Sequence, residues 1–180
     1  MWLKAVPYFV CNGSNSRWHF SIQRHRVDGH LGLVLLWGEL VISYKDTLTF
    51  SADGSYEAEL DGFWPAEDGF VWSKGKWSEI RFPFEKDNLT EHSDLIMDLD
   101  VFKPEDGGQN VLIYLNGLRV GSKFIKNRIT CVISFPSSIL RKDNNVLTLD
   151  TPDAMIPADF GIADTRQLGV QLYSIQIRRC

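Results

Sequence analysis

The stretch Val111-Leu112-Ile113-Tyr114-Leu115-Asn116-Gly117-Leu118-Arg119-Val120 predicts a β-hairpin. Apolar residues lie on both sides of an Asn-Gly pair. Asn-Gly accepts the positive φ values that a type I′ turn needs at both central positions. Because such a turn joins two antiparallel strands, we expect an antiparallel sheet around residues 111–120.

Strand periodicity continues on both sides of this hairpin. Segment 94–102 alternates Leu95, Met97 and Leu99 against more polar neighbours, which is typical of a half-buried antiparallel strand. Shorter segments of the same kind are 17–25, 47–50, 56–60, 77–84, 129–135 and 146–149. Segment 168–177 closes the chain, and we expect its alternation to be unbroken, with Leu172 and Ile175 on opposite sides.

About ten short strands, with turn signals between them and no convincing helix, predict an all-β fold. We expect an antiparallel β-sandwich of jelly-roll type. The chain has 180 residues, which fits one domain. The clear pattern begins near residue 46, so we assign residues 1–45 to an N-terminal extension or extra strands and residues 46–180 to the sandwich.

Composition excludes several classes of function. The chain is 44% hydrophobic and carries a net charge of −4, which is ordinary for a soluble globular protein and gives no footprint for nucleic acid. Segment Leu31–Ile42 contains Glu39 and is too short to cross a bilayer, so we expect no direct membrane insertion. Pro7 breaks the apolar run 5–11, and a cleavage site is lacking. A signal peptide is therefore not predicted.

The absence of a signal peptide favours the cytoplasm. A periplasmic or envelope-facing position is the alternative if the chain belongs to a larger membrane protein. The cysteines Cys11, Cys131 and Cys180 are odd in number and widely spaced, which predicts neither a disulfide framework nor a zinc site. We expect Cys131 to be a small buried apolar residue, and we predict no metal and no cofactor.

An aromatic stretch, Gly62–Trp72, supplies the first candidate site. Trp64, Trp72 and Trp77 are candidates for a platform on which a sugar ring stacks. Glu67, Asp68 and Asn116 are candidate partners for sugar hydroxyls. The alternative is that Trp64 and Trp72 belong to the core and that Glu67 bonds a backbone amide.

Asp164 and Arg166 supply the second candidate, because side chains two residues apart on an extended segment face the same way. They bind an anionic or hydroxylated ligand, or they form a structural pair that fixes the loop before the last strand. The irregular segment 152–159 is either a binding loop or a plain connection. Both alternatives remain open for each feature.

Enzyme signatures are not found in this sequence. Glu67 with Asp164 is the one carboxylate pair that we would assign to a glycosidase. A nucleophile elbow, a phosphate-binding glycine loop and an HExxH motif are all lacking. We therefore predict no catalytic residues, and a glycan-active enzyme is the less favoured alternative.

Three motifs carry a resemblance: Phe50-Ser51-Ala52-Asp53-Gly54, Gly62-Phe63-Trp64 and Asp164-x-Arg166-x-Leu168-Gly169. With them, segment 47–177 resembles a β-sandwich domain of unknown function at the C-terminal end of bacterial membrane glycosyltransferases and surface-polysaccharide proteins. Its jelly roll is similar to galactose-binding-like modules. The resemblance implies a non-catalytic accessory module whose partner is an envelope glycan or another envelope protein. The remaining alternatives are a protein–protein interaction module and a purely structural domain.

Overall fold

Asn116 and Gly117 turn the chain between two antiparallel strands in the computed structural model, with φ values of 52° and 82°. Both values are positive, as the predicted type I′ turn requires. Tyr114 pairs with Arg119, and Leu115 pairs with Leu118. The hairpin that the Asn-Gly signal predicts is therefore confirmed.

The structure describes residues 19–27, 30–38, 47–50, 58–84, 91–104 and 106–179. The strands are β1 His19–Val27, β2 His30–Gly38, β3 Thr47–Thr49, β4 Glu59–Asp61, β5 Val71–Lys74, β6 Trp77–Phe82, β7 His92–Val101, β8 Gln109–Leu115, β9 Leu118–Ile125, β10 Ile129–Pro136, β11 Asn145–Asp150 and β12 Leu168–Arg179. Short 3₁₀ turns occupy Ser137–Ile139 and Pro157–Phe160. Cys11, Cys180 and residues 51–54 of the first resemblance motif lie outside the described residues.

The chain divides into two compact units, Met1–Leu40 and Val41–Cys180. In the first unit, β1 and β2 pair antiparallel, with His19 opposite Gly38. Our assignment of residues 1–45 to an extension and 46–180 to the sandwich stays a prediction.

Two five-stranded antiparallel sheets build the second unit. The first, which we call the β7 sheet, has the order β10-β7-β12-β3, with β5 also paired to β12. The second, the β8 sheet, has the order β4-β6-β11-β8-β9. From β5 to β12 the chain passes back and forth between the sheets in the order of a jelly roll. The predicted all-β antiparallel sandwich of jelly-roll type is confirmed.

The core lies between these two sheets. Leu95, Met97 and Leu99 of β7 are buried with Val111 and Ile113 of β8, and each is at most 1% exposed. Burial of a side chain of this size contributes about 1.5–3 kcal/mol. Cys131 is a free, buried cysteine that packs in the same core, as predicted, and burial raises the pKa of its thiol.

Two features of the β7 sheet depart from the sequence pattern. The predicted unbroken alternation of the last strand is wrong, because a register shift between Leu172 and Ser174 turns both Leu172 and Ile175 toward the core. A β-bulge of this kind adds one residue and reverses the facing of those that follow. In addition, the end of the aromatic stretch lies in a strand, β5, which the sequence pattern did not predict because it is only four residues long.

Gly169 follows the long loop 151–167 and packs closely against Thr151, Ser73 and Gly75. A Cβ atom placed there would collide with the hydroxyl of Thr151, would stand 2.6 Å from Ser73 Oγ, and would press on the backbone oxygen of Gly75. The Ser73 hydroxyl accepts a hydrogen bond from the amide of Val170, so it is not free to turn away. This close approach explains the glycine in the Leu168-Gly169 motif.

We predict that Gly169→Ala lowers the free energy of unfolding by about 1–3 kcal/mol, the usual cost of overpacking a tight site. Chemical denaturation with urea measures this loss. Gly121→Ala is the matched control with a smaller expected loss, because the three atoms nearest to its Cβ all belong to the side chain of Ile133, whereas Gly169 also faces a backbone oxygen. Equal losses in the two variants would contradict the packing argument.

Candidate functional site

Arg166 joins two of the predicted site residues, Glu67 and Asp164. Its Nη1 donates to Glu67 Oε1 at 2.9 Å, and its Nη2 donates to Asp164 Oδ2 at 2.8 Å. Asp164 Oδ1 also accepts the backbone amide of Arg166 at 2.9 Å. Glu67 and Arg166 are 99 residues apart in sequence, so this ion pair fastens the loop before β12 to the aromatic stretch.

Trp64 belongs to the same cluster. Its indole nitrogen donates to the carbonyl of Gln167 at 3.2 Å. Lys74 Nζ lies 4.9 Å from the centre of the ring, and Arg166 Cζ lies 5.9 Å from it. The half-buried indole is thus held by one hydrogen bond and contacted by two cations, which favours the structural alternative for Trp64 and for the Asp164–Arg166 pair.

The charges of this cluster do not suit a glycosidase. Glu67 bonds the guanidinium of Arg166, not a backbone amide as we had considered. The hydrogen bonds from the Arg166 side chain lower the pKa of Asp164 below its usual value. A glycosidase acid needs a raised pKa, so Asp164 does not fit the role of the acid in a Glu67–Asp164 pair.

The side chains of Trp72 and Asp68 make none of these contacts, although the backbone carbonyl of Trp72 accepts the amide of Trp64 at 2.8 Å. Trp72 is on the outer face of the β7 sheet, where its ring centre is 6.2 Å from that of Phe70. Phe70 also contacts Tyr173 at 5.5 Å, and the guanidinium of Arg128 lies 3.5 Å above the Tyr173 ring. The rings of Trp72, Phe70 and Tyr173 therefore partly cover one another, and Arg128 covers Tyr173. Asp68 is exposed in the turn between Glu67 and Phe70.

Asn116 is engaged in a network of its own. Its Nδ2 donates to the carbonyl of Ile139 at 2.8 Å and to Asn145 Oδ1 at 3.0 Å. Its Oδ1 accepts the backbone amide of Val146 at 2.9 Å. Both amide protons are used, so the geometry of Asn116 is that of a turn residue that joins β8 to β11. It gives no support to a hydroxyl-binding role.

Trp77 differs from the other two candidate tryptophans, Trp64 and Trp72, because it is 52% exposed on the outer face of the β8 sheet. Its ring centre is 6.1 Å from that of Tyr114, at an interplanar angle of 37°. The two residues lie on β6 and β8, on either side of β11, and Thr148 of β11 is only 4% exposed between their strands. Trp77 and Tyr114 form an aromatic surface across three strands.

Polar side chains surround this aromatic surface. Glu79 Oε1 accepts the indole proton of Trp77 at 3.4 Å, and the other oxygen of Glu79 pairs with Arg81. Asp150 pairs in register with Trp77 on one side and with Leu112 on the other. We call this surface the Trp77 face, formed by Trp77, Glu79, Arg81, Leu112, Tyr114, Thr148 and Asp150.

Sequence reasoning identified Trp77 but missed the rest of the Trp77 face. One signal was available, since the alternation of β8 places Leu112 and Tyr114 opposite the buried Val111, Ile113 and Leu115. The sequence pattern of single segments could not predict that β11 lies between β6 and β8 in the sheet.

Some functional classes find no support in the described part of the chain. It contains no group of three or more acidic, histidine or cysteine side chains arranged to hold a metal ion. Nor does any of its helical segments have the length and apolar character needed to cross a membrane.

Comparison with known proteins gives only distant similarity. No protein-family model and no curated protein matches the sequence. A family 35 carbohydrate-binding module from Clostridium thermocellum is similar at 12% identity and a TM-score of 0.45, over 75% of this chain and 99% of that one. The C-terminal family 6 module of a laminarinase from Zobellia galactanivorans has 13% identity and a TM-score of 0.41, over 74% and 100%. At TM-scores this low, the likeness carries no argument about function.

We predict that Asp164→Asn lowers the melting temperature at pH 7 and that the difference from wild type shrinks toward acid. The pKa of Asp164 is lower in the folded chain than the unfolded value of about 3.9, so its charge stabilises the fold above that value. This stabilisation is lost as the pH falls through the folded pKa. Thermal melting between pH 7 and pH 2 measures the difference.

Asp159→Asn is the control, because Asp159 is an exposed carboxylate in the same loop. A melting-temperature difference for Asp164→Asn that stays constant over the whole pH range would show that the ion pair with Arg166 does not stabilise the loop.

Proposed function

We propose that this chain is a non-catalytic accessory module that binds carbohydrate on the Trp77 face. The observation that carries the proposal is a half-exposed tryptophan packed beside a tyrosine, with carboxylate and guanidinium groups around it. Sugar-binding surfaces need an aromatic ring for the apolar C–H side of a pyranose and polar groups for its hydroxyls. The Trp77 face offers both.

Three groups of the Trp77 face, those of Trp77, Glu79 and Arg81, are bonded to one another in the absence of a ligand. Glu79 bonds the indole of Trp77 and the guanidinium of Arg81 at the same time. All of these residues stand on strands or at strand ends of one hydrogen-bonded sheet, and sites built on such rigid elements lose little entropy when they bind. A shallow face still leaves most of a sugar in water, so we expect dissociation constants of roughly 1 μM to 1 mM.

The polar neighbours of Trp77 favour a glycan over a protein partner. A large contiguous apolar patch on this surface would favour a protein partner. On the Trp77 face, however, two carboxylates lie beside the exposed indole. Glu79 is on the same strand as Trp77, and Asp150 pairs with Trp77 from the neighbouring strand β11. Protein–protein interaction therefore ranks second among the binding functions.

The biological setting is also part of the proposal. The resemblance to envelope polysaccharide proteins implies that the glycan belongs to the bacterial cell envelope. The module works on the periplasmic or envelope-facing side if the chain is part of a larger membrane protein, and the cytoplasm is the alternative. Binding of purified envelope polysaccharide by the module supports this setting, and binding confined to unrelated glycans opposes it.

We predict that Trp77→Ala abolishes glycan binding and leaves the melting temperature within a few degrees of wild type. The side chain is half exposed, so its removal takes little area from the core. A glycan array with neutral and acidic oligosaccharides identifies a ligand, and isothermal titration calorimetry with that ligand measures the loss.

Trp64→Ala is the matched control, because Trp64 bonds Gln167 in the separate cluster around Arg166. We expect it to lower the melting temperature and to keep the binding at a temperature where it is folded. Glycan binding that survives in Trp77→Ala but disappears in folded Trp64→Ala would refute the assignment of the site to the Trp77 face.

A further inference from the structure

Basic residues are concentrated in one part of an otherwise acidic chain. The net charge is −4, yet no acidic residue falls between Asp106 and Asp143. The basic residues in this interval are Arg119, Lys123, Lys126, Arg128, Arg141 and Lys142. The first three of them lie on or directly after β9, the edge strand of the β8 sheet.

The register of β9 decides which of these cations share the outer surface with Trp77. Arg119 pairs with Tyr114, a residue of the Trp77 face, and paired residues point to the same side of a sheet. Phe124 pairs with Asn110, which has the same parity as Tyr114, and Lys126 Nζ lies 5.9 Å from the Phe124 ring. Arg119, Phe124 and Lys126 therefore extend the Trp77 face to the edge of the sheet.

Lys123 has the opposite parity, since it pairs with Val111, whose side chain is buried in the core. It is an exposed cation on the same strand, turned to the other side. This difference makes Lys123 an internal reference for any effect that depends on the outer surface of β9.

The two cations of this extension, Arg119 and Lys126, are not neutralised by a salt bridge to any described residue. No carboxylate among the described residues is within salt-bridge distance of Arg119 or Lys126. Asp153 reaches the neighbouring strand, but it is bound there by Asn110, which donates to it from its backbone and its side chain. Phe124 is 56% exposed beside Lys126 and adds an aromatic ring to those of Trp77 and Tyr114.

The two ends of the extended face differ in charge. Asp61, Glu79 and Asp150 lie on β4, β6 and β11, at the Trp77 end. Three strand spacings of about 4.8 Å separate β6 from β9, so the face is roughly 14 Å wide. One oligosaccharide can therefore meet carboxylates at one end, where Arg81 already pairs with Glu79, and unpaired cations at the other.

We propose that the Trp77 face is one end of a longer site, and that Arg119, Phe124 and Lys126 form a second subsite for a negatively charged sugar substituent. The ligand class is an oligosaccharide that places a neutral residue on Trp77 and a sulfate or carboxylate over β9. Hydrogen bonds from guanidinium and ammonium groups to such oxyanions are charge-assisted and strong. This inference rests on the proposed function, because it assigns the ligand of the same face.

A different role for the cations must be separated from this one. Lysines on an edge strand prevent pairing with the edge of another chain. That role would need Lys123 as much as Lys126, and it would give no preference for a charged glycan. A nucleic acid is the other polyanion that an unpaired basic strand could attract.

The test uses one galactan oligosaccharide with a single sulfate and the same oligosaccharide after desulfation. Calorimetry at low salt measures both dissociation constants for the whole chain and for Trp77→Ala, Arg119→Gln, Lys126→Gln and Lys123→Gln. We expect wild type to bind the sulfated form about tenfold more tightly, which corresponds to one charge-assisted contact. Arg119→Gln and Lys126→Gln should each remove most of this preference, while Lys123→Gln should keep it.

Several results would overturn the inference. Equal affinity of wild type for the two oligosaccharides, or an equal loss of preference in Lys123→Gln, would leave the β9 cations as edge protection. Displacement of the sulfated oligosaccharide by a single-stranded oligonucleotide at equal charge would assign the strand to nucleic acid. Failure of the proposed function is distinct, because Trp77→Ala would then bind the desulfated oligosaccharide as wild type does.

Discussion

The ion pairs of Arg166 with Glu67 and Asp164 fix the long connection between β11 and β12. The guanidinium binds Asp164 in its own loop and Glu67 in the aromatic stretch, so it ties the long connection 151–167 to a segment 99 residues away. The indole of Trp64 reinforces the same contact through Gln167. Arginine suits this place because its planar fork can bind two carboxylates at once, which lysine cannot do with the same geometry.

This assignment divides the aromatic residues by role. Trp64 is held inside the Arg166 cluster, and Trp72 packs with Phe70 and Tyr173 on the β7 sheet. Trp77 alone among these three tryptophans keeps half of its surface exposed. The aromatic stretch therefore serves the architecture, and the neighbouring strand β6 presents the surface that remains for a ligand. In our proposal, the cluster that fastens the loop and the surface that binds a ligand are therefore separate.

The sequence was sufficient for features set by local patterns. The Asn-Gly turn and the alternation of β7 predicted the antiparallel sandwich, since both depend on residues close together in the chain. The bulge near Tyr173 was not predictable, because an extra residue changes the facing of a strand without changing its composition. Tyr114 and Asp150 were missed as site residues, since only long-range pairing through β11 brings them beside Trp77.

Nuclear magnetic resonance of the indole N–H groups tests the central claim most directly. Titration with an oligosaccharide identified on the array should shift the Trp77 indole signal in a saturable way. The Trp64 signal should stay in place, because Gln167 already accepts its proton. A saturable shift confined to Trp64 or Trp72, with the Trp77 signal unchanged, would contradict the assignment of carbohydrate binding to the Trp77 face.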